Sequence, residues 1–475
     1  MPATATGRGA QVILDGDAQR AARGAYANSY VANAMYLDSL ARSGAVADGM
    51  TTPDGTTRTG TAASDYIVAV TSARLDASLA AMSRAAAGAR YNNPRVNAIM
   101  ATPPTISVST THNAALTKSY GWNGGPGGAD IYAAATGNGP FNYSGGLPTS
   151  LGYGVVDFPS VHYQTTNYQP LVKRMETVAD SIKVELGVWP TSTTAASSAF
   201  RIIVDRQYVS LTQTLFTTPG IANFITLDFT AAGGRKARNI ILEGLTDVKF
   251  GSITSVGPTE TLLKPGGAVK TMYVVADSWG VGNTTTMLNA FPGYLGDLLG
   301  IRNTWNGGVP GTGWLADAGG TSPTCRGRIG DLVDCAPDLL VITMGYNDVS
   351  ASLTALQNEV TLTLRTIRAQ PVLSVIPIVI CPFGGNHFDS TQSIPMENAV
   401  SAGAATLHDP AIFFIPTTGG ANGAWMTGTG STAAPHGDGN CDVYISSDNV
   451  HPNDAGHAYL AGRMADEIMR QVLKA

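Results

Sequence analysis

The spacing of apolar and polar positions changes period twice along the chain. Up to about residue 110 the texture is helical and Ala-rich. From Asp17, the positions Ala22, Tyr26, Tyr30, Ala34, Leu37 and Leu40 recur at three and four residues, one face of a 3.6-residue period. Asp17 suits the start of that helix and Gly44 its end. A second helix is expected in DASLAAMSRAAAGAR from Asp76, with a turn-rich loop, TTPDGTTRTGTAAS, between the two.

From about 111 to 262 the period falls to two. In SIKVELGV, Ile182, Val184, Leu186 and Val188 alternate with Ser181, Lys183, Glu185 and Gly187, the signature of a strand with one buried face. FRIIVDRQYV, NFITLDFT and ARNIILEGL follow without a long helix between them, so this region reads as an antiparallel β-sandwich, jelly-roll-like in type. GPTETLLKPGG, from Gly257 to Gly267, reads as the linker out of it.

From Thr271 strands alternate with helices. TMYVVAD, DLLVITMG, SVIPIVIC and AIFFIP are short apolar runs suited to a parallel sheet buried on both faces. The closing helix, from about Asn453, carries Leu460, Met464, Ile468 and Val472 on one stripe. This alternation predicts a doubly wound α/β domain with its ligand site at the carboxyl ends of the strands. Three regions result: a helical assembly or attachment segment at 1–110, an accessory sandwich at 111–262 and a catalytic domain at 271–475.

Composition narrows the partners. Charged residues make up 13% of the 475, about half the usual share, beside 55 glycines. A net charge of −5 with no clustered Lys/Arg face argues against nucleic acid. No stretch approaches the roughly 18 apolar residues of a membrane span, and MPATATGRGAQVILDGDAQR lacks the apolar core of a secretory signal. The polar, Gly/Thr-rich texture still suggests an extracellular or virion-associated setting. Cys325, Cys335, Cys381 and Cys441 form no CxxC pair, so no metal site is expected. A Cys325–Cys335 disulfide and two separate thiols are both compatible with the spacing.

The chemistry gathers in four short segments. Ser278 follows the first strand of the third region directly, in VVADSWGVGN. A serine hydroxyl needs a base to become a nucleophile. Of seven histidines, only His451 stands behind an acid at short spacing in a loop that opens a helix, SSDNVHPNDAGH. Asp448, three residues earlier, is placed to bind one ring nitrogen and leave the other for the serine, and Pro452 disfavours helix at the histidine. Oxyanion donors are available from the Ser278 N–H, from Gly311 in NGGVPGTGW and from the Asn347 amide in MGYND. Taken singly, each segment is an ordinary turn or cap.

Together and in this order, ADSWG, NGGVPGTG, GYND and DNVH resemble the four blocks of the SGNH (GDSL-type) hydrolases, over roughly residues 271–475. The resemblance implies a flavodoxin-like three-layer α/β/α domain. It further implies Ser278 as nucleophile, Gly311 and Asn347 as oxyanion donors, Asp448 and His451 as acid and base, and no cofactor or metal. Ala276 departs from it, standing where the family's first block begins with glycine. The family implies hydrolysis of carboxylic esters, thioesters or sugar O-acetyl groups.

With polar loops and a sandwich ahead, the expected substrate is a short acyl ester, foremost an O-acetylated polysaccharide. Trp279 and Trp314 flank site motifs and are candidates to line the substrate cleft, as is His387 in GGNHFDS. His457 reads as packing or surface. A different class of function stays open: a glycan-binding spike or tail protein, homo-oligomeric through its first two regions, whose hydrolase fold mainly engages a receptor.

Overall fold

The computed structural model describes residues 50–51, 57–58, 75–76, 78–83, 85–86, 98–120, 140–152, 155–157, 171–266, 269–383, 392–419 and 423–473. The helix expected from Asp17 and the loop residue His387 lie outside them. Residues 75–76, 78–83 and 85–86 are helical, and Met82 and Ala86 are buried against the core of the third region.

The second region forms two antiparallel sheets. One contains β1 (Thr105–Ser109), β2 (Lys118–Tyr120), β4 (Thr149–Gly152), β5 (Val155–Asp157), β7 (Lys183–Pro190), β9 (Asn223–Asp228) and β11 (Val248–Val256). The other is built on β3 (Asn142–Ser144), β6 (Val172–Ser181), β8 (Ala199–Val204), β10 (Lys236–Leu245) and β12 (Thr261–Leu263), with two-residue strands at Gln207–Tyr208 and Thr214–Leu215. Val184, Leu186 and Val188 of β7 meet Phe200, Ile202, Ile240 and Leu242 from the facing sheet in one core. β1 pairs with β9 along its whole length, so the sheets begin inside the segment assigned to the helical N-terminal region.

Glu185, expected on the solvent face of β7, is only 1% exposed. Its carboxylate bonds to the His112 ring and accepts from the Asn113 N–H at 2.9 Å. Both faces of β7 are therefore covered.

The third region is a five-stranded, all-parallel sheet. It comprises β13 (Thr271–Ala276), β14 (Asn303–Gly308), β15 (Leu339–Ile342), β16 (Ile378–Ile380) and β17 (Ile412–Phe414), in the order β14-β13-β15-β16-β17. Alternate residues of the apolar runs go to opposite layers, as period two dictates. Met272, Val274, Leu339 and Val341 pack with α2 (Phe291–Leu298) and α7 (Asp454–Glu467). Tyr273, Val275, Leu340 and Ile342 pack with α3 (Ile329–Cys335), α4 (Leu353–Arg368) and α5 (Ser393–Ala405). All four cysteines are free thiols. No described helix is long and apolar enough to cross a membrane.

The outer face of the β6/β8/β10 sheet meets the parallel-sheet unit. Arg201, Glu243 and Arg174 form one cross-strand row on it. Glu243 receives the Arg201 Nη2 at 2.9 Å and the Arg174 Nε at 2.8 Å. Arg201 also donates to Leu288 O and Asn289, while Arg174 donates to Asp297 of α2 at 2.6 and 3.0 Å. Charge buried in this way is tolerated because every member of the row has an opposite partner.

Candidate active site

The chain turns sharply where β13 ends. Asp277 caps the four-residue helix α1 (Ser278–Val281), its Oδ1 accepting from the Trp279 N–H at 2.9 Å. Ser278 is thus the first helical residue, whose N–H has no intrahelical acceptor. Tight packing of α1 on β13 also accounts for Ala276. A Cβ on Gly280 would lie 2.3 Å from the Ala276 Cβ, so the methyl tolerated at 276 is accommodated by the hydrogen at 280.

The histidine arrives from the other end of the unit. A bridge between Ile445 and Pro452, with Ser446 N donating to His451 O at 2.8 Å, closes a tight loop just before α7. Asp448 organises that loop. Its Oδ1 accepts from Ser446 Oγ (2.7 Å), Val450 N (2.9 Å) and His451 N (2.9 Å), leaving Oδ2 for His451 Nδ1 at 2.5 Å. On the other side of the ring, His451 Nε2 lies 2.9 Å from Ser278 Oγ. Partial burial works against charge on Asp448, and the bonds from His451, Ser446 and Val450 outweigh it, taking the carboxyl down to about 2. The carboxylate is therefore an acceptor only, which fixes the proton on Nδ1 and leaves Nε2 to accept from the serine.

Gly311 and Asn347 sit beyond β14 and β15, at the same edge of the sheet as Ser278. Gly311 has φ +72°, a conformation that favours glycine. Asn347 Nδ2 donates to Thr312 O at 2.9 Å and, at a longer 3.3 Å, to Asp277 Oδ2. Serving a developing oxyanion requires the amide to release the longer of the two.

Several residues with work at this edge escaped the sequence reading. Asp348 is 1% exposed and accepts from Trp314, Leu315 and Ala316 N–H groups at 2.8, 3.0 and 3.0 Å, tying the glycine-rich loop to the Asn347 turn. Burial pushes its carboxyl up and the three amides oppose this. The buried Arg328 donates to Ala276 O (2.8 Å), Gly307 O (2.7 Å) and Thr312 Oγ1, joining β13, β14 and the same loop. Tyr346 is half-buried beside the site. Burial raises its hydroxyl, and the nearby Asp277 and Asp448 raise it further. The signal for Asp348 and Tyr346 was present, since both belong to MGYND. Arg328 had none, because the strand and loop groups it joins are 16 to 52 residues away.

Two of the proposed cleft residues are placed elsewhere. Trp279 and Trp314 are 1% and 0% exposed, so neither indole offers a face to a sugar. Trp279 stacks on Phe383 at 5.3 Å, and Trp314 Nε1 donates to Met344 O at 3.2 Å. His457 is fully buried against Phe291, with neither ring nitrogen partnered. Burial lowers its pKa to about 3, with a smaller effect from His451. Asp277 moves the other way. Burial pushes it up to about 7, with the Trp279 N–H and Arg328 opposing.

Residues 275–459 match the GDSL-like lipase/acylhydrolase family. No curated protein matches the sequence. Among solved structures, a family two carbohydrate esterase from Cellvibrio japonicus aligns with TM-score 0.51 and 13% identity, over 70% of this chain and 96% of that one. A family two carbohydrate esterase from Clostridium thermocellum, in complex with cellohexaose, aligns at 0.47 and 16%, over 64% and 93%. The acetyl xylan esterase Est2A from the rumen bacterium Butyrivibrio proteoclasticus aligns at 0.48 and 9%, over 70% and 96%. At such identities the likeness is one of fold.

Proposed function

We propose that this chain, which carries a GDSL-like lipase/acylhydrolase domain over residues 275–459, is a serine esterase that removes short acyl groups, foremost O-acetyl groups, from a polysaccharide. The observation that carries this reading is the continuous contact from Asp448 through His451 to Ser278, at 2.5 and 2.9 Å.

In the reaction, His451 Nε2 takes the Ser278 proton as Oγ attacks the ester carbonyl. Asp448 holds the ring and offsets the imidazolium charge. The tetrahedral oxyanion is met by the Ser278 and Gly311 N–H groups and by Asn347. His451 then gives its proton to the departing sugar hydroxyl, leaving an acyl-serine. Water, deprotonated by the same nitrogen, attacks that ester, releases the carboxylic acid and restores the serine.

The choice of a sugar ester is supported by three features. The loops at the carboxyl edge are rich in Gly, Thr and Asn, the half-buried Tyr346 stands beside the reacting groups, and the fold aligns with a family two carbohydrate esterase. Purified protein is expected to hydrolyse p-nitrophenyl acetate and to release acetate from acetylated xylan faster than it cleaves long-chain esters. An unchanged rate in Ser278→Ala would remove the assignment.

A further inference from the structure

A cleft of about 440 Å³ opens between the sandwich and the catalytic unit, away from Ser278. Its volume is within the range of about 300–1,000 Å³ usual for small-molecule sites. One wall continues the outer face of the β6/β8/β10 sheet. Beyond the covered Arg201–Glu243–Arg174 row comes a second row, Ile203–Ile241–Glu176, and then Asn239. The other wall is α2 and the turn after it, through Tyr294, Leu298 and Arg302.

The location excludes a part in the chemistry. Arg302 immediately precedes β14, whose far end, Gly308, pairs with Ala276 beside the nucleophile. Six residues of strand separate the two ends by roughly 20 Å.

The lining also restricts the ligand. Three arginines (174, 206 and 302) are matched by three carboxylates (Glu176, Asp205 and Asp297), so the cleft has no net sign with which to hold a phosphate or a polyanion. The polar groups are fixed in place. Asn239 Nδ2 donates to Glu176 Oε1 at 2.6 Å, Arg302 approaches the same carboxylate at 3.4 Å, and Arg174 is clamped between Glu243 and Asp297. Between them lie aliphatic and aromatic side chains, of which Ile241 is only partly buried, while Tyr208 is 3% exposed with its ring under Arg201 and its hydroxyl without a hydrogen-bond partner. Fixed planar donors and acceptors suit vicinal hydroxyls, and the partly buried Ile241 between them suits the C–H face of a sugar ring.

We propose that this cleft is a non-catalytic binding site for a neutral oligosaccharide segment, which anchors the polymer while acyl groups are removed at the opposite edge of the sheet. The role of anchor rests on the esterase reading; the binding itself does not.

The test uses the full chain with Ser278→Ala, so that nothing is turned over, titrated calorimetrically with xylohexaose and with cellohexaose. At least one is expected to bind, and Asn239→Ala and Arg302→Ala, each with an unchanged melting temperature, are expected to weaken it tenfold or more. In chains that retain Ser278, the same substitutions should leave p-nitrophenyl acetate hydrolysis unaltered and raise KM, not lower kcat, on acetylated xylan. Binding of neither sugar, or binding indifferent to both substitutions, overturns the site. Loss of p-nitrophenyl acetate hydrolysis in the unsubstituted enzyme would instead remove the esterase reading and leave the binding result to be judged alone.

Discussion

Asp277 and His457 are buried, ionisable and shifted in opposite directions, which makes the pH dependence of stability a sharp test of the site's construction. Asp277 is raised from 3.8 to about 7. Between those values the folded chain keeps a proton that the unfolded chain has lost, so its contribution is full below 3.8 and is lost as pH rises through 7. His457 is lowered from 6.5 to about 3. Between those values the unfolded chain holds a proton that the folded chain refuses, so its contribution is full above 6.5 and is lost as pH falls toward 3. Each interval spans about 3 pH units, and each unit is worth about 1.4 kcal/mol, so either group alone moves stability by about 4 kcal/mol.

Over the shared range the two slopes oppose each other, and these groups leave the wild type nearly flat. Removing one unmasks the other. Asp277→Asn should lose stability on acidification below pH 6.5, by about 1.4 kcal/mol per pH unit relative to wild type. His457→Phe, which keeps an aromatic ring against Phe291, should gain stability over the same descent. Urea unfolding from about pH 4 to about pH 8, followed by tryptophan fluorescence, reads both. Trp279, Trp305, Trp314 and Trp425 all report on the catalytic unit. If both variants give profiles parallel to wild type, the two groups are not held in the water-excluded state that the structure assigns them.

Two other substitutions test parts of the same edge. Asn347→Ala should lower kcat by about 10²–10³, as loss of one oxyanion donor does, with little change in unfolding free energy; a loss below tenfold would take Asn347 out of the oxyanion role. Gly280→Ala should destabilise by about 1–3 kcal/mol through overpacking against the Ala276 methyl, and Ala276→Gly in the same chain should recover most of it in urea titrations.

The catalytic unit was legible because its signals are local. Apolar runs of four to six residues, buried on both faces, were separated by helical patterns, and three of the four motifs lay just past a strand's carboxyl end, DNVH standing instead before the closing helix. What escaped was long-range. Period two correctly places Val184, Leu186 and Val188 in the sandwich core, but it cannot reveal that His112 and Asn113, more than 70 residues earlier, cover Glu185 on the other face. The same limit misplaced Trp279 and Trp314. A tryptophan beside a motif looks available to substrate, and only the tertiary packing of Phe383 and Met344 shows both indoles spent on the core. The row of buried charges joining the two units was likewise invisible, since Arg201 meets its partners 42 and 88 residues away.

That junction reaches the loop that carries His451 through residues 284–289. On one side, Thr286 donates to Gln213 and Arg201 grips Leu288 and Asn289, all contacts with the sandwich. On the other, Thr284 donates to Pro452 O at 3.5 Å and Thr285 donates to Asp454, immediately beyond His451. Thr284 itself has φ +68°, an unfavourable conformation for a β-branched residue. Such strain costs about 1–3 kcal/mol and persists only where surrounding contacts enforce it. Thr284→Gly removes the strain while adding about 0.5–1 kcal/mol of glycine entropy to the unfolded chain, so stability should be unchanged or slightly increased. Activity should nevertheless fall, in kcat more than in KM, because the side chain that ties this segment to Pro452 is gone. A stable Thr284→Gly variant with an unaltered kcat would mean that the strained turn serves only the chain reversal between α1 and α2, and that the sandwich has no hold on the histidine.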